Sequence, residues 1–228
     1  GKGAAERAAE LCVELASKQM ADSGICKLDM KALLVDIETG LKNCNTENES
    51  GWATKGFDYE GCTGTVLHLY YNPERGEKIL QAANVGDSSA FLFRGKESIP
   101  LTESHNVKNP MEKARLQEDF GVVIDENTKR LPGVEMAVSR ALGDFFAKSD
   151  EVRSGLVATP YVHPEMILGE NDSHVVVASD GLWDFCTGDE AHAIINGAGN
   201  NSPADALMTR ALSFMKNYDN ISIIVVAL

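Results

Sequence analysis

Along residues 4–20, Ala5, Ala8, Cys12 and Leu15 recur at helical spacing, while Glu6, Arg7, Glu10 and Glu14 fall on the other side. That is the pattern of an amphipathic helix with one buried stripe. A second such stripe, Met30, Leu33, Leu34, Ile37 and Leu41, predicts a helix over residues 28–42. Residues 43–61 then turn polar and read as a surface loop. After Gly61 the period changes. Residues 63–71 are rich in β-branched and aromatic side chains, Asn72-Pro73-Glu74-Arg75-Gly76 makes a turn, and residues 78–85 run back. Gly86-Asp87-Ser88-Ser89 interrupts, and residues 90–93 lead into a turn at Gly95-Lys96. Strand following strand through short turns predicts a largely antiparallel sheet.

Asn109-Pro110-Met111-Glu112 has the grammar of a helix start, with Asn at the N-cap, Pro at the first helical position and Glu at the third, and Gly121 is placed to end that helix. Residues 122–139 are expected to form another hairpin, and residues 174–179 a buried strand. Thr187 and Glu190 form a capping box before a short helix ending near Gly197, and Ser202-Pro203 opens a last helix. The longest apolar stretch, residues 221–228 broken by Ser222, is expected to be a buried closing strand. No repeat and no Pro/Gly-rich linker divides the chain. The expectation is one domain over residues 1–228, of α+β class, with helices covering antiparallel sheets.

Composition narrows the partners. Over 228 residues there are 34 acidic and 21 basic side chains, a formal charge of −13. No basic face dominates, which argues against nucleic acid or an anionic membrane as partner. The 43% hydrophobic content is that of a globular chain, and no run is long enough to cross a bilayer. Five scattered cysteines (12, 26, 44, 62, 186) without CxxC spacing disfavour a disulfide framework and a thiolate zinc site, and point to a reducing, intracellular compartment. The chain opens at Gly1, already within a helical pattern, so the expectation is a piece of a longer product.

Several chemistries fail on spacing. A cysteine-based phosphatase needs Arg six residues after its thiolate, and that position holds Lys18, Ala32, Ser50, His68 or His192. There is no GxxxxGK[ST] loop, no GxSxG elbow and no HExxH helix. Asp119-Phe120-Gly121 spells a kinase triplet without the other kinase loops, so it reads as chance. What remains is a set of aspartates at strand ends: Asp87 after residues 82–86, Asp180 after residues 175–179 with Asp184 four on, and Asp219 before the closing strand. Carboxylates converging at one sheet end repel unless a divalent cation intervenes, and all-oxygen ligation selects Mg²⁺ or Mn²⁺. Each aspartate alone also reads as an ordinary turn residue, and spacing does not establish that they converge.

Five further blocks follow Gly61-Cys62-Thr63-Gly64-Thr65 in order. They are Ala83-Asn84-Val85-Gly86-Asp87-Ser88; Leu101-Thr102 with His105, Asn109-Pro110, Glu112 and Arg115; Ala137-Val138-Ser139-Arg140-Ala141-Leu142-Gly143-Asp144; Ala178-Ser179-Asp180-Gly181-Leu182-Trp183-Asp184; and Asp219-Asn220-Ile221-Ser222-Ile223. The chain thereby resembles the metal-dependent PP2C (PPM) serine/threonine protein phosphatases from about Gly61 to its end. The resemblance implies a four-layer α-β-β-α sandwich with two central antiparallel sheets. It also implies a binuclear Mg²⁺ or Mn²⁺ centre at which an activated water hydrolyses phosphoserine and phosphothreonine of proteins. By position Asp180 and Asp219 match core metal ligands and catalytic residues, Asp87 matches the carboxylate that shares a weaker third ion with Asp180, and Asp184 stands beside the site. Arg140 and Asp144 are expected to be architectural, His105 structural rather than a proton carrier, and the protein a monomer.

The chain departs from the family pattern in several places. The earlier motifs, a phosphate-gripping Arg, a Glu-Asp pair and Asp-Gly-His-Gly with the bridging Asp, are absent, and Gly1-Lys2-Gly3-Ala4-Ala5 resembles the sequence just after them. The expectation is therefore a fold with its N-terminal strands missing, and little or no activity from residues 1–228 by themselves. Ser89 and Ser104 stand where Arg and Asp are usual. The alternative reading is a catalytically silent PP2C-like module with a binding or regulatory role.

Overall fold

A computed structural model describes residues 2–47, 53–55, 57–199, 202–214 and 219–228. Both opening helices form as the apolar stripes predict. Helix α1 (Lys2–Ser23) packs on α2 (Met30–Asn43), and Asp29 caps α2 by accepting the Ala32 N–H at 2.9 Å. The polar segment after α2 differs from expectation: β1 (Asn45–Glu47) and β2 (Ala53–Lys55) pair as a short antiparallel ladder. Three-residue strands of polar composition lack the alternation that marks a strand in sequence.

Next come β3 (Gly61–Cys62), β4 (Gly64–Asn72), β5 (Glu77–Val85), β6 (Ser89–Arg94) and β7 (Glu97–Pro100), then α3 (Pro110–Phe120). The chain continues through β8 (Leu142–Gly143), β9 (Tyr161–Val162), β10 (Met166–Leu168), β11 (Asp172–Ala178), α4 (Asp180–Trp183), α5 (Gly188–Gly197), α6 (Pro203–Leu212) and β12 (Ile223–Ala227). Two four-stranded sheets result. The first has the order β10-β5-β4 with β9 also on β5, and the second the order β12-β11-β6-β7. Every strand pairing is antiparallel.

Side-chain parity stacks the layers. On β5, Leu80 and Ala82 share a cluster with Ala90 and Leu92 of β6 and Val175 of β11, which puts that cluster between the sheets. The alternate residues Ala83 and Val85 face the other way, onto Leu33, Leu34, Ile37 and Leu41 of α2. On the second sheet Phe93, Val176 and Ala178 point outward to Leu182, Ala191, Ile195, Leu207 and Ala211 of α4, α5 and α6. A period of two sends successive side chains to opposite faces, so one sheet with α1 and α2 and another with α4–α6 enclose a shared middle layer. This is the expected α-β-β-α arrangement.

Two further expectations are corrected. Residues 122–139 contain no strand; they run through turns, with Leu131 donating to Met136 O at 2.8 Å and Val138 bridging Asn106. Their apolar residues Val122, Ile124 and Leu131 are taken up by Leu116 of α3, with Ala141 and Leu156, in a separate cluster. The closing strand β12 is half-buried. Ile223 and Val225 join the α6 side, but Ile224 and Val226, on the opposite face, are 62% and 42% exposed. Among the described residues no helix is long and apolar enough to cross a membrane.

Candidate functional site

The ladder register decides where the aspartates lie. Ala178 at the end of β11 pairs with Ser89 on one side and Ile223 on the other. Asp87 lies two residues before Ser89, Asp180 two after Ala178, and Asp219 four before Ile223. All three therefore emerge at the same end of three neighbouring strands. Asp184 follows one helical turn after Asp180, its N–H donating to Asp180 O at 2.8 Å.

Each of these positions is braced by its surroundings. The turn carrying Asp87 is tied to β4: the Thr63 and Ser88 hydroxyls are 2.9 Å apart, and Thr65 donates to Ser88 O at 2.7 Å. Gly86 has φ +102°, and a Cβ there would lie 2.4 Å from Thr63 Cγ2, so only glycine fits. At the Asp180 corner, Ser179 donates its hydroxyl to Asn220 O at 3.2 Å and accepts the Ser222 N–H at 3.1 Å. A Cβ on Gly181 would come within 2.4 Å of Asn220 O, so the missing side chain lets the Asp180 corner press against the segment holding Asp219. Trp183 fastens the same corner, its Nε1–H donating to Ser89 O and Ala178 O, each at 3.0 Å, with its ring against Phe91.

Electrostatics ties the four carboxylates together. Burial, and next to it the charge of Asp180, push the Asp87 carboxyl up to about 6, although Asn106 donates to it at 3.4 Å. Asp180 is raised by burial and then by Asp219 and Asp184. Lys108 stands 3.4 Å from the Asp184 carboxylate. Among the described residues no three acidic, His or Cys groups already form a metal-holding cluster. The carboxylates are close enough to repel, but they are not drawn onto one point. An all-oxygen set in which the partly buried Asp87 and Asp180 carboxyls are raised is matched chemically by a hard divalent cation, which relieves the same repulsion that a proton does.

Behind the site lies a buried charge cluster that spacing did not reveal. Glu112, only 2% exposed, receives Arg140 Nη2 at 2.6 Å, Arg115 Nη2 at 2.9 Å and Ser139 Oγ at 2.6 Å. The helix-start pattern put Glu112 at the third helical position, yet its side chain turns inward instead of back to the cap; Asn109 alone caps α3, accepting the Met111 N–H at 2.9 Å. Arg140 sits within this buried ion-pair cluster. His105 is fully buried, with Nδ1 accepting the Gly86 N–H at 3.2 Å, so it holds backbone and does not face solvent. Asn84, His105 and Asn106 around Asp87 carry no signal of this role in their spacing.

The family model described as Protein phosphatase 2C matches residues 4–216. A probable protein phosphatase of Dictyostelium discoideum is 34% identical over all of this chain and 24% of its own length. Protein phosphatase 2C 70 of Arabidopsis thaliana is 30% identical over 98% of this chain and 39% of its own. The chain thus spans about a quarter to two fifths of these relatives. Among solved structures, a serine-threonine phosphatase 2C from Toxoplasma gondii superposes with TM-score 0.72 at 18% identity, covering 100% of this chain and 81% of that one. A C. elegans sex determining protein gives 0.69 at 18%, covering 96% and 50%. With the ordered motifs, the layered sheets and a family match over nearly the whole length, the chain belongs to the protein phosphatase 2C family.

Proposed function

We propose that residues 1–228 belong to one catalytic domain, and that the full-length protein hydrolyses phosphoserine and phosphothreonine on proteins with Mg²⁺ or Mn²⁺. Asp180 and Asp219 would hold the core ions, Asp87 with Asp180 a weaker third, and Asp184 would stand beside them. When bound, such ions supply Lewis acidity, polarising phosphoryl oxygens and making water a stronger acid. The protein's own contribution is placement. The β11 end and the Gly181 contact hold Asp180 against the Asp219 segment, the Thr63–Ser88 contact fixes the turn of Asp87, and Lys108 steadies Asp184. What carries this reading is the shared register at Ala178, which brings three separately encoded aspartates to one end of one sheet. A charge of −13 and free thiols at all five cysteines support a phosphoprotein substrate over nucleic acid and an intracellular, reducing setting; we read the protein as a monomer.

The test uses the full-length protein with Mn²⁺ and a phosphothreonine peptide. Asp180→Asn should lower turnover by about 10²–10³-fold while leaving the circular-dichroism spectrum and melting cooperativity intact. Turnover that survives Asp180→Asn, or that persists in EDTA, refutes the assignment. A wild-type protein that binds phosphopeptide without cleaving it supports the silent-module reading instead.

A further inference from the structure

The mechanism above leaves the buried imidazole of His105 unused. His105 holds residue 86 at both of its backbone groups: Nδ1 accepts the Gly86 N–H at 3.2 Å, and the His105 N–H donates to Gly86 O at 3.0 Å. Asn84 completes the clamp, its amide nitrogen donating to Gly86 O at 3.0 Å and to Glu103 O at 2.7 Å. His105 is anchored from behind, since its carbonyl accepts the Ser139 N–H at 3.0 Å and Ser139 in turn donates to Glu112 at 2.6 Å. Gly86 is the residue before Asp87, so a rotation of the peptide at residue 86 swings the Asp87 carboxylate.

The ring is an odd choice for packing alone. With Nδ1 accepting, the neutral ring carries its proton on Nε2, and Nε2 is buried without a partner among the described residues. A buried unpaired N–H is destabilising, so a phenyl or isobutyl group would fill the space at lower cost. Only Nδ1 repays the histidine. Burial, and after it Arg140, lower the imidazole to about 4, which keeps Nδ1 an acceptor at neutral pH.

We propose that His105 is a positioning residue that orients Asp87, through the Gly86 peptide, for the divalent ion Asp87 shares with Asp180. This rests on the metal-dependent reading of the site given above.

Three variants of the full-length protein test it: His105→Asn, His105→Gln and His105→Phe. The Asn amide oxygen falls where Nδ1 is, the Gln amide reaches instead to the Nε2 position, and Phe keeps the ring without an acceptor. Calorimetric Mn²⁺ titration, melting in EDTA and phosphopeptide turnover against Mn²⁺ concentration are measured. The expected result is that Gln and Phe weaken the weakest Mn²⁺ site about tenfold, with turnover at saturating Mn²⁺ within about twofold of wild type and Asn restoring the affinity. The melting temperature of the Phe variant should change little, because it exchanges an orphan Nε2–H for an orphan Gly86 N–H. Unchanged Mn²⁺ affinity in Gln and Phe, or an equal loss in Asn and Gln, overturns the proposal. If Phe does not fold, the Asn–Gln contrast still decides. A wild-type protein that binds no Mn²⁺ defeats the metal-dependent reading itself, whereas intact wild-type binding with indifferent variants defeats only the role of His105.

Discussion

Replacing Glu112 by Gln removes one negative charge from between two guanidinium groups and changes almost nothing else in size. Arg140 and Arg115 both close on this carboxylate, and each also donates onward, Arg140 to Thr159 O at 3.0 Å and Arg115 to Gly155 O at 3.2 Å. The charge therefore ties α3 to the segments at 139–140 and 155–159. Burial by itself disfavours the ionised carboxylate, but hydrogen bonds from Arg140, Arg115 and Ser139 outweigh it and hold the group at about 2 against an ordinary 4.5. At 1.36 kcal/mol per pH unit that distance corresponds to about 3 kcal/mol. Leaving buried charges without their partner costs about 3–5 kcal/mol, so the two routes agree.

The folded-state value lies below the unfolded one, so this contribution is complete above about 4.5 and is lost as pH falls toward about 2. Urea unfolding of wild type and Glu112→Gln at pH 7 and pH 3 should show the variant weaker by about 3 kcal/mol at pH 7. The gap should shrink by about half at pH 3 as wild-type Glu112 loses its advantage. A difference below about 1 kcal/mol at pH 7, or one of equal size at both pH values, would show that the cluster is not held by this charge.

Asp87→Asn should raise the melting temperature in EDTA, by about 0.5–2 kcal/mol of stability, because it removes a buried charge facing Asp180, and should weaken Mn²⁺ binding in the same protein; a lower melting temperature in EDTA would contradict the repulsion argument. Gly181→Ala should cost about 1–3 kcal/mol and reduce phosphatase activity by more than its loss of stability explains, since the new methyl meets Asn220 O at 2.4 Å. Gly197→Ala, with nothing within 4 Å, is the control and should be neutral or stabilising by up to about 1 kcal/mol in chemical denaturation. Equal behaviour of the two glycine variants would remove the close-approach argument at the Asp180 corner.

Much of this molecule is written in short-range signals. The stripe on α2, the Thr187–Glu190 box that caps the N-terminus of α5, Asn109 before Pro110 and Ser202 before Pro203 all act within a few residues, and each is found where the sequence puts it. The same holds for the long strands β4, β5 and β11, whose residues are long enough runs to show their character. The aspartates at strand ends were legible as candidates because residue type and position along a strand are local facts.

What tertiary structure decided is which distant groups meet. Strands β9 and β10 are two and three residues long and exist because β5 offers them an edge. Residues 122–139 have strand-like composition but spend their apolar side chains on α3, and Ile224 and Val226 of β12 stay exposed because none of the described residues covers that face. Glu112 looked like a capping residue until Arg140, 28 positions away, turned it inward, and His105 acquired a role only through Gly86, 19 positions back. Periodicity and capping depend on neighbours along the chain, which the amino-acid order specifies directly. Ladder register and buried charge pairing depend on partners brought together by burial of the whole core, and no single segment encodes them.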